Sequence, residues 1–165
     1  MKFFIREESL AWGDDFQIWD ADGKLAYVVD GDGITIFNRI NVHLPDKKLV
    51  ATVNETLLSF GREYMVSAEN EPLAKVMAQR ASYGTVQFSI EISGKPDAIA
   101  TGDFYNHEYT IQRGEKVLAR VAHEDEGEGF SVDILVPEKK VLLLSCVVVI
   151  EVISRDNGQA GPMYK

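Results

Sequence analysis

The chain has 165 residues, 26 of them acidic and 17 basic, a formal net charge of −9 and one cysteine. A single domain of this length buries roughly 70% of its unfolded surface, so folding requires neither disulfide nor metal. The acidic balance argues against general nucleic-acid binding, which needs Lys and Arg to neutralise phosphates, and it weakens attraction to anionic membranes.

The amino-terminal run Met1-Lys2-Phe3-Phe4-Ile5-Arg6-Glu7-Glu8 meets charge after Ile5, too early for the ~7–15-residue apolar core of a signal peptide. Cys146 stands alone inside the most apolar run of the chain, where it reads as a small core residue. Both features point to a cytoplasmic protein.

One hairpin template then recurs. Phe16-Gln17-Ile18, Tyr64-Met65-Val66 and Tyr109-Thr110-Ile111 are followed at equal offsets by Leu25-Ala26-x-Val28, Leu73-Ala74-x-Val76 and Leu118-Ala119-x-Val121. Leu10-Ala11-Trp12-Gly13 leads into the first copy as Leu58-Ser59-Phe60-Gly61 leads into the second. Side chains alternate faces along a strand, so folding the first copy about Asp22 sets Ile18 opposite Ala26 and Phe16 opposite Val28 on one buried face. Ala21-Asp22-Gly23 forms its loop, with Gly23 free to take a positive φ. Asn70 and Glu115 occupy the other two centres. Pro72 and Gly114 change the turn chemistry there, which leaves a one-residue difference in register open.

Between the copies, Ile34-Thr35-Ile36-Phe37 and Leu49-Val50-Ala51-Thr52-Val53 read as strands, set off by Asp30-Gly31-Asp32-Gly33 and Leu44-Pro45-Asp46. Val86 to Ile92 and Phe130 to Ile134 alternate strictly, as strands with one dry face do. The total is about twelve strands, whose edges are best removed by closure.

Val141 to Ile150 breaks the pattern with ten residues free of charge, continuing through Glu151 to Ile153. That is short of the ~20 residues a membrane-spanning helix needs. Its β-branched residues favour a strand, but its length favours a helix. Pro137 suits a first helical position, Glu138 suits the positive end of the helix dipole, and Asn157-Gly158 supplies a stop. A helix apolar on every side must be enclosed by protein. The fold class is therefore mainly β, a closed antiparallel barrel of about twelve strands around a buried C-terminal hydrophobic helix, with one domain over 1–156 and a flexible tail over 157–165.

Candidate sites are few. Asp20-Ala21-Asp22-Gly23 and Asp30-Gly31-Asp32-Gly33 resemble the starts of calcium loops, but the twelfth position from Asp20 is Gly31 where a bidentate Glu is needed. They read as turns. The acidic run from His123 to Glu128 reads as solvated surface. His43, His107 and His123 share no ligand spacing, no Ser or Cys occupies a nucleophile elbow, and burial disfavours Cys146 as a nucleophile. No catalytic, metal or cofactor residue is assigned. In Gly102-Asp103-Phe104-Tyr105-Asn106-His107-Glu108-Tyr109, Phe104 and Tyr109 read as barrel filling, and Tyr105 with His107 forms the candidate partner-binding pair.

Ser9 to Ile18, Gly23-Lys24-Leu25-Ala26-Tyr27-Val28, Gly102 to Ile111 and Val141 to Arg155, in that order and spacing, resemble the LURP-one-related family of the tubby C-terminal-like fold. The resemblance spans about residues 2 to 156. It implies a closed barrel of about twelve strands threaded by a carboxy-terminal helix, a shape shared with phospholipid scramblases. For relatives it implies attachment to phosphoinositide-bearing membranes in tubby proteins and defence-linked roles in plants. The expected function is a non-enzymatic interaction module for an anionic phospholipid surface or a protein partner, cytoplasmic or peripheral to a membrane. Arg39, Lys47, Lys48, Lys139 and Lys140 are the candidate lipid-binding residues. The alternative is a carrier or enzyme holding a small apolar molecule in the barrel interior, which requires that interior to be empty.

Overall fold

Apolar residues at every second position give each strand one dry face, and the backbone groups at a strand's edge still need partners. A computed structural model, describing residues 1–7, 16–31, 39–58, 61–80, 85–125 and 129–159, meets both demands by closure. Its strands are β1 (Lys2–Glu7), β2 (Phe16–Asp20), β3 (Leu25–Gly31), β4 (Arg39–His43), β5 (Leu49–Leu58), β6 (Gly61–Ala68), β7 (Ala74–Arg80), β8 (Val86–Ile92), β9 (Lys95–Asp103), β10 (Glu108–Arg113), β11 (Lys116–His123) and β12 (Phe130–Ile134). Each pairs antiparallel with its sequence neighbours, and β1 closes the barrel on β12. A three-ten turn, Pro137–Lys139, leads into the helix α1 (Lys140–Gln159).

The repeated template keeps its expected register in two of its three copies. Tyr64 faces Val76 and Val66 faces Ala74, while Tyr109 faces Val121 and Ile111 faces Ala119. The first copy departs. Trp19 pairs with Leu25, consistent with a turn centred on Asp22, but a bulge between Ile18 and Trp19 skips Ala26, so Ile18 faces Tyr27 and Phe16 faces Val29. One extra residue moves every later side chain to the other face. Tyr27 and Val29 are therefore the buried pair, where Ala26 and Val28 had been expected.

The expected strand at 34–37 lies outside the described residues, as do the lead-in 10–13, Asp32, Gly33 and 126–128 of the acidic run. Sequence patterning also missed β1, β4 and β9. In β9 the inward residues are only Ala98 and Ala100, and Pro96 sits beside a bulge in the pairing with β8. Small inward residues and a proline hide a strand from any reading based on large alternating apolar side chains.

The helix fills the barrel. From Leu142 to Ile153 every side chain is buried, Glu151 among them. It packs on β5, β6, β7 and β12, and three of these strands turn the small residues Ala51, Ala68 and Ala74 inward. Asn157-Gly158 does not end the helix, which continues to Gln159, taking in 157–159 of the expected tail and leaving 160–165 outside the described residues. One glycine costs a helix only about 1 kcal/mol, too little to terminate it alone. Among the described residues no helix is long and apolar enough to cross a membrane.

Val136, which precedes the three-ten turn, offers no side-chain cap. The cap comes instead from the β6–β7 turn, where Glu71 Oε2 accepts a hydrogen bond from the Leu142 N–H at 3.1 Å. The carboxylate also lies at the positive end of the helix dipole. Burial nevertheless raises the Glu71 pKa, against the lowering effects of the Leu142 N–H and of Lys139.

Three outcomes follow from this packing. Deleting residues 137–165 exposes the apolar lining of the whole barrel, and far-UV and near-UV circular dichroism should report global loss of folding. Glu71→Ala removes the cap and should lower stability by about 1 kcal/mol in urea denaturation, whereas Glu71→Gln keeps an acceptor without the buried charge and should match or exceed the wild type. Because the folded protein holds the Glu71 proton more tightly than the unfolded chain, wild-type stability relative to Glu71→Gln should fall as pH rises from about 4.5 through the raised folded value.

Candidate functional site

Strand order sends alternate turns to opposite ends of the barrel. The upper rim, where α1 begins, collects the amino terminus, the β2–β3, β4–β5, β6–β7, β8–β9 and β10–β11 turns, and the link from β12 to α1. The lower rim, where α1 ends, carries the β9–β10 turn.

At the lower rim, Gly102 to Tyr109 acts as a latch on the helix. A side chain at Gly102 would put its Cβ 2.4 Å from the Glu108 carbonyl oxygen, so only glycine permits this close strand approach. Asp103 then closes the turn by accepting from the Asn106 backbone N–H at 3.1 Å and its side-chain amide at 2.7 Å, and these bonds hold its carboxyl below the usual range. His107 adopts a left-handed φ of 56°, which turns its ring back toward the barrel. There it stacks on Phe130 with centroids 4.7 Å apart, and its Nδ1 lies 2.7 Å from Glu151 Oε2. Tyr109 donates its hydroxyl to Glu151 Oε1 at 2.8 Å.

Glu151 is only 5% exposed, and a buried carboxylate is costly unless hydrogen-bonded. Tyr109 and His107 supply those contacts. Burial, reinforced by the Glu151 charge, pushes the Tyr109 hydroxyl well above its ordinary pKa, so it remains a donor. Phe104 fills the space beside them, edge-on to Phe88 at 4.8 Å. Phe104 and Tyr109 thus fill the barrel as expected, but the partner-binding pair divides: Tyr105 is 82% exposed, whereas His107 turns inward to the helix. Sequence reasoning missed Glu151. Its one signal was a lone charge in the otherwise apolar run from Val141 to Ile153.

The upper rim has the character of a surface. Among the described residues six large apolar side chains are exposed, and four of them, Met1, Leu49, Leu73 and Leu135, lie at this end at 43–53% exposure. They come from chain positions far apart, so no sequence pattern announces them. Lys47, Lys48, Lys139 and Lys140 lie on the same rim, while Arg39 begins β4 at the opposite end. Lys48 pairs with Glu69 at 3.3 Å. The rim is close to charge balance: Lys24, Lys47, Lys48, Lys95, Lys116, Lys139 and Lys140 stand against Asp20, Asp22, Asp46, Glu69, Glu71, Glu115 and Glu138, in a chain of net charge −9.

The turns themselves are locally determined. Asp20 Oδ1 accepts from the Asp22 and Lys24 N–H groups, both at 2.9 Å, so the carboxylate read as turn chemistry is engaged in the turn. Asp46 holds the Lys48 N–H at 3.0 Å while Lys47 takes a φ of 73°. Asp30, the first residue of the other acidic motif, bonds His43 Nε2, and that bond is the main cause raising the histidine's pKa. Cys146 is fully buried, and burial, with the Glu71 charge, pushes its thiol up to about 12. It has no thiolate to offer as a nucleophile.

This architecture defines a class, the closed twelve-stranded β-barrel plugged by its own carboxy-terminal helix. The chain belongs to the LURP-one-related family, whose profile matches residues 1–151. An X-ray structure of a protein from Arabidopsis thaliana superposes with a TM-score of 0.69 at 16% identity, covering 93% of this chain and 90% of that one. At that identity the likeness extends to the fold alone. No curated protein sequence matches the chain.

The latch predicts a non-additive response. Tyr109→Phe removes a hydrogen bond to a buried carboxylate and should lower the unfolding free energy by about 1.5–3 kcal/mol. Combining it with Glu151→Leu removes the buried charge as well and should recover part of that loss, measured as a double-mutant cycle in urea.

Proposed function

We propose that the protein is a non-enzymatic interaction module that docks through its upper rim onto an anionic phospholipid surface. The observation that carries this reading is the convergence of Met1, Leu49, Leu73 and Leu135 with four candidate lysines on one end of the barrel. Exposed apolar side chains ringed by lysines suit a headgroup boundary: the chains enter the apolar layer while the ammonium groups stay with the phosphates. Near charge balance at this rim removes the repulsion that the chain's net charge would otherwise create. The family's tubby-like barrel supports the same reading by analogy.

A protein partner is the second reading. Tyr105, strongly exposed at the lower rim, suits an anchor for it. A small apolar ligand carried inside the barrel is disfavoured because it would have to displace α1.

Co-sedimentation with neutral, phosphatidylserine-containing and phosphoinositide-containing liposomes tests the proposal. Binding to anionic vesicles should fall between low and physiological salt. Lys139→Glu with Lys140→Glu should weaken it, by at least about fivefold per lysine, as should Leu49→Ser with Leu135→Ser. Arg39→Ala, at the other rim, should leave it unchanged. Absence of binding to every vesicle overturns the membrane reading and leaves the protein-partner one.

A further inference from the structure

His43 ends β4 at the upper rim, directly before the turn that carries Lys47 and Lys48. Across the β4–β5 pairing it stands opposite Leu49, one of the four exposed apolar residues of that rim. Its side chain is only 17% exposed, and both ring nitrogens are engaged. Nδ1 lies 3.1 Å from the Leu44 carbonyl oxygen, and Nε2 meets the Asp30 carboxylate. A carbonyl and an ionised carboxylate accept hydrogen bonds and cannot donate them. Neutral imidazole has one N–H and leaves one of these contacts unmade, whereas imidazolium makes both.

The groups around His43 hold that proton. Asp30 faces it from β3, where Val28 is its directly paired neighbour. The β4–β5 turn adds Lys47, whose charge opposes protonation, Asp46, which binds the Lys48 N–H, and Lys48, which is paired with Glu69. The Asp30 bond, helped by the Leu44 carbonyl, outweighs burial and Lys47, so the His43 pKa rises from its ordinary 6.5. The same Leu44 carbonyl accepts from the Lys47 N–H at 2.9 Å, so the ring also braces the turn that presents both lysines. The chain has three histidines, and the other two, His107 and His123, lie at the lower rim.

We propose that His43 makes docking of the upper rim on anionic phospholipid proton-dependent, the imidazolium favouring the bound state and the neutral ring releasing it. The inference rests on the reading of that rim as a membrane-docking surface. With the proton in place, His43 and Asp30 form a neutral pair. Without it, the Asp30 carboxylate stands uncompensated beside a rim that is close to charge balance, and lipid phosphates repel it. One elementary charge within a Debye length of an anionic surface changes partitioning about fivefold. Docking therefore tightens as pH falls through the His43 pKa and loosens as pH rises through it.

The test is co-sedimentation of the whole protein with phosphatidylcholine vesicles containing phosphatidylglycerol, at fixed ionic strength, from about pH 5.5 to about pH 8.5. Wild-type affinity should drop about fivefold across this range. His43→Gln and His43→Lys should each lose that drop, the first staying weak and the second tight. Any slope the two variants share comes from other titrating groups of the rim, Glu71 among them, and is subtracted. Asp30→Asn should move the wild-type midpoint to lower pH, which a purely structural role for the pair would not do. A wild-type drop no larger than that of His43→Gln, or an unchanged midpoint in Asp30→Asn, overturns this proposal and leaves rim docking intact. Absence of binding at every pH overturns both.

Discussion

The structure depends on a reciprocal constraint between barrel and helix. Eight strands enclose a space that their own side chains just fill, so twelve leave a lumen that must be occupied by something else. The segment from Leu142 to Ile153 is apolar on all sides and has no stable place except inside such a lumen. Neither part satisfies its apolar surface alone. The same mutual need explains why the interior is a core: the barrel is wide because it contains α1.

An apolar plug in an apolar sleeve has little to define its position along the axis. Two carboxylates supply that definition. Glu71, from the β6–β7 turn, takes the Leu142 N–H at the upper end, and Glu151, on α1 itself, is gripped by Tyr109 and His107 at the lower end. One fastening engages the positive end of the helix and the other a buried charge. Both carry desolvation costs, which is the usual condition of polar groups that specify one arrangement among many apolar ones. The Gly102–Tyr109 motif is thus first an anchoring device for the helix, and of its aromatic side chains only Tyr105 is turned outward.

With the interior occupied, interaction falls to the outside. The rims differ in kind: one collects exposed leucines and lysines, the other the latch. The outer face of β7 to β10 carries a groove that reaches the β10–β11 turn, lined by glutamines beside the paired ions Arg113–Asp97 and Lys75–Glu91. A closed barrel has no free strand edge to donate, so recognition on its wall must pass through side chains.

Nine of the twelve strands, the closure and the enclosed helix were legible because they follow from local periodicity: two residues per repeat on a strand, and a long charge-free run near the end of the chain. The hairpin register was legible in the second copy, where the pairing runs without a bulge, and in the third, where a bulge that skips Leu118 sets Ile111 opposite Ala119 and Tyr109 opposite Val121. It was misread in the first because a single-residue bulge at Ala26 has no marker in composition. Asp20 and Asp46 could be read as turn residues, since their partners lie within four residues. Glu71 and Glu151 could not be assigned, because their partners stand 71 and 44 or 42 residues away. Nor could the upper rim, built from Met1, Leu49, Leu73 and Leu135. The sequence by itself determined which segments had to be buried and how each alternates, because burial is a property of neighbouring residues. Only the tertiary structure decided which distant side chains share an end, because that depends on the order in which strands close the ring.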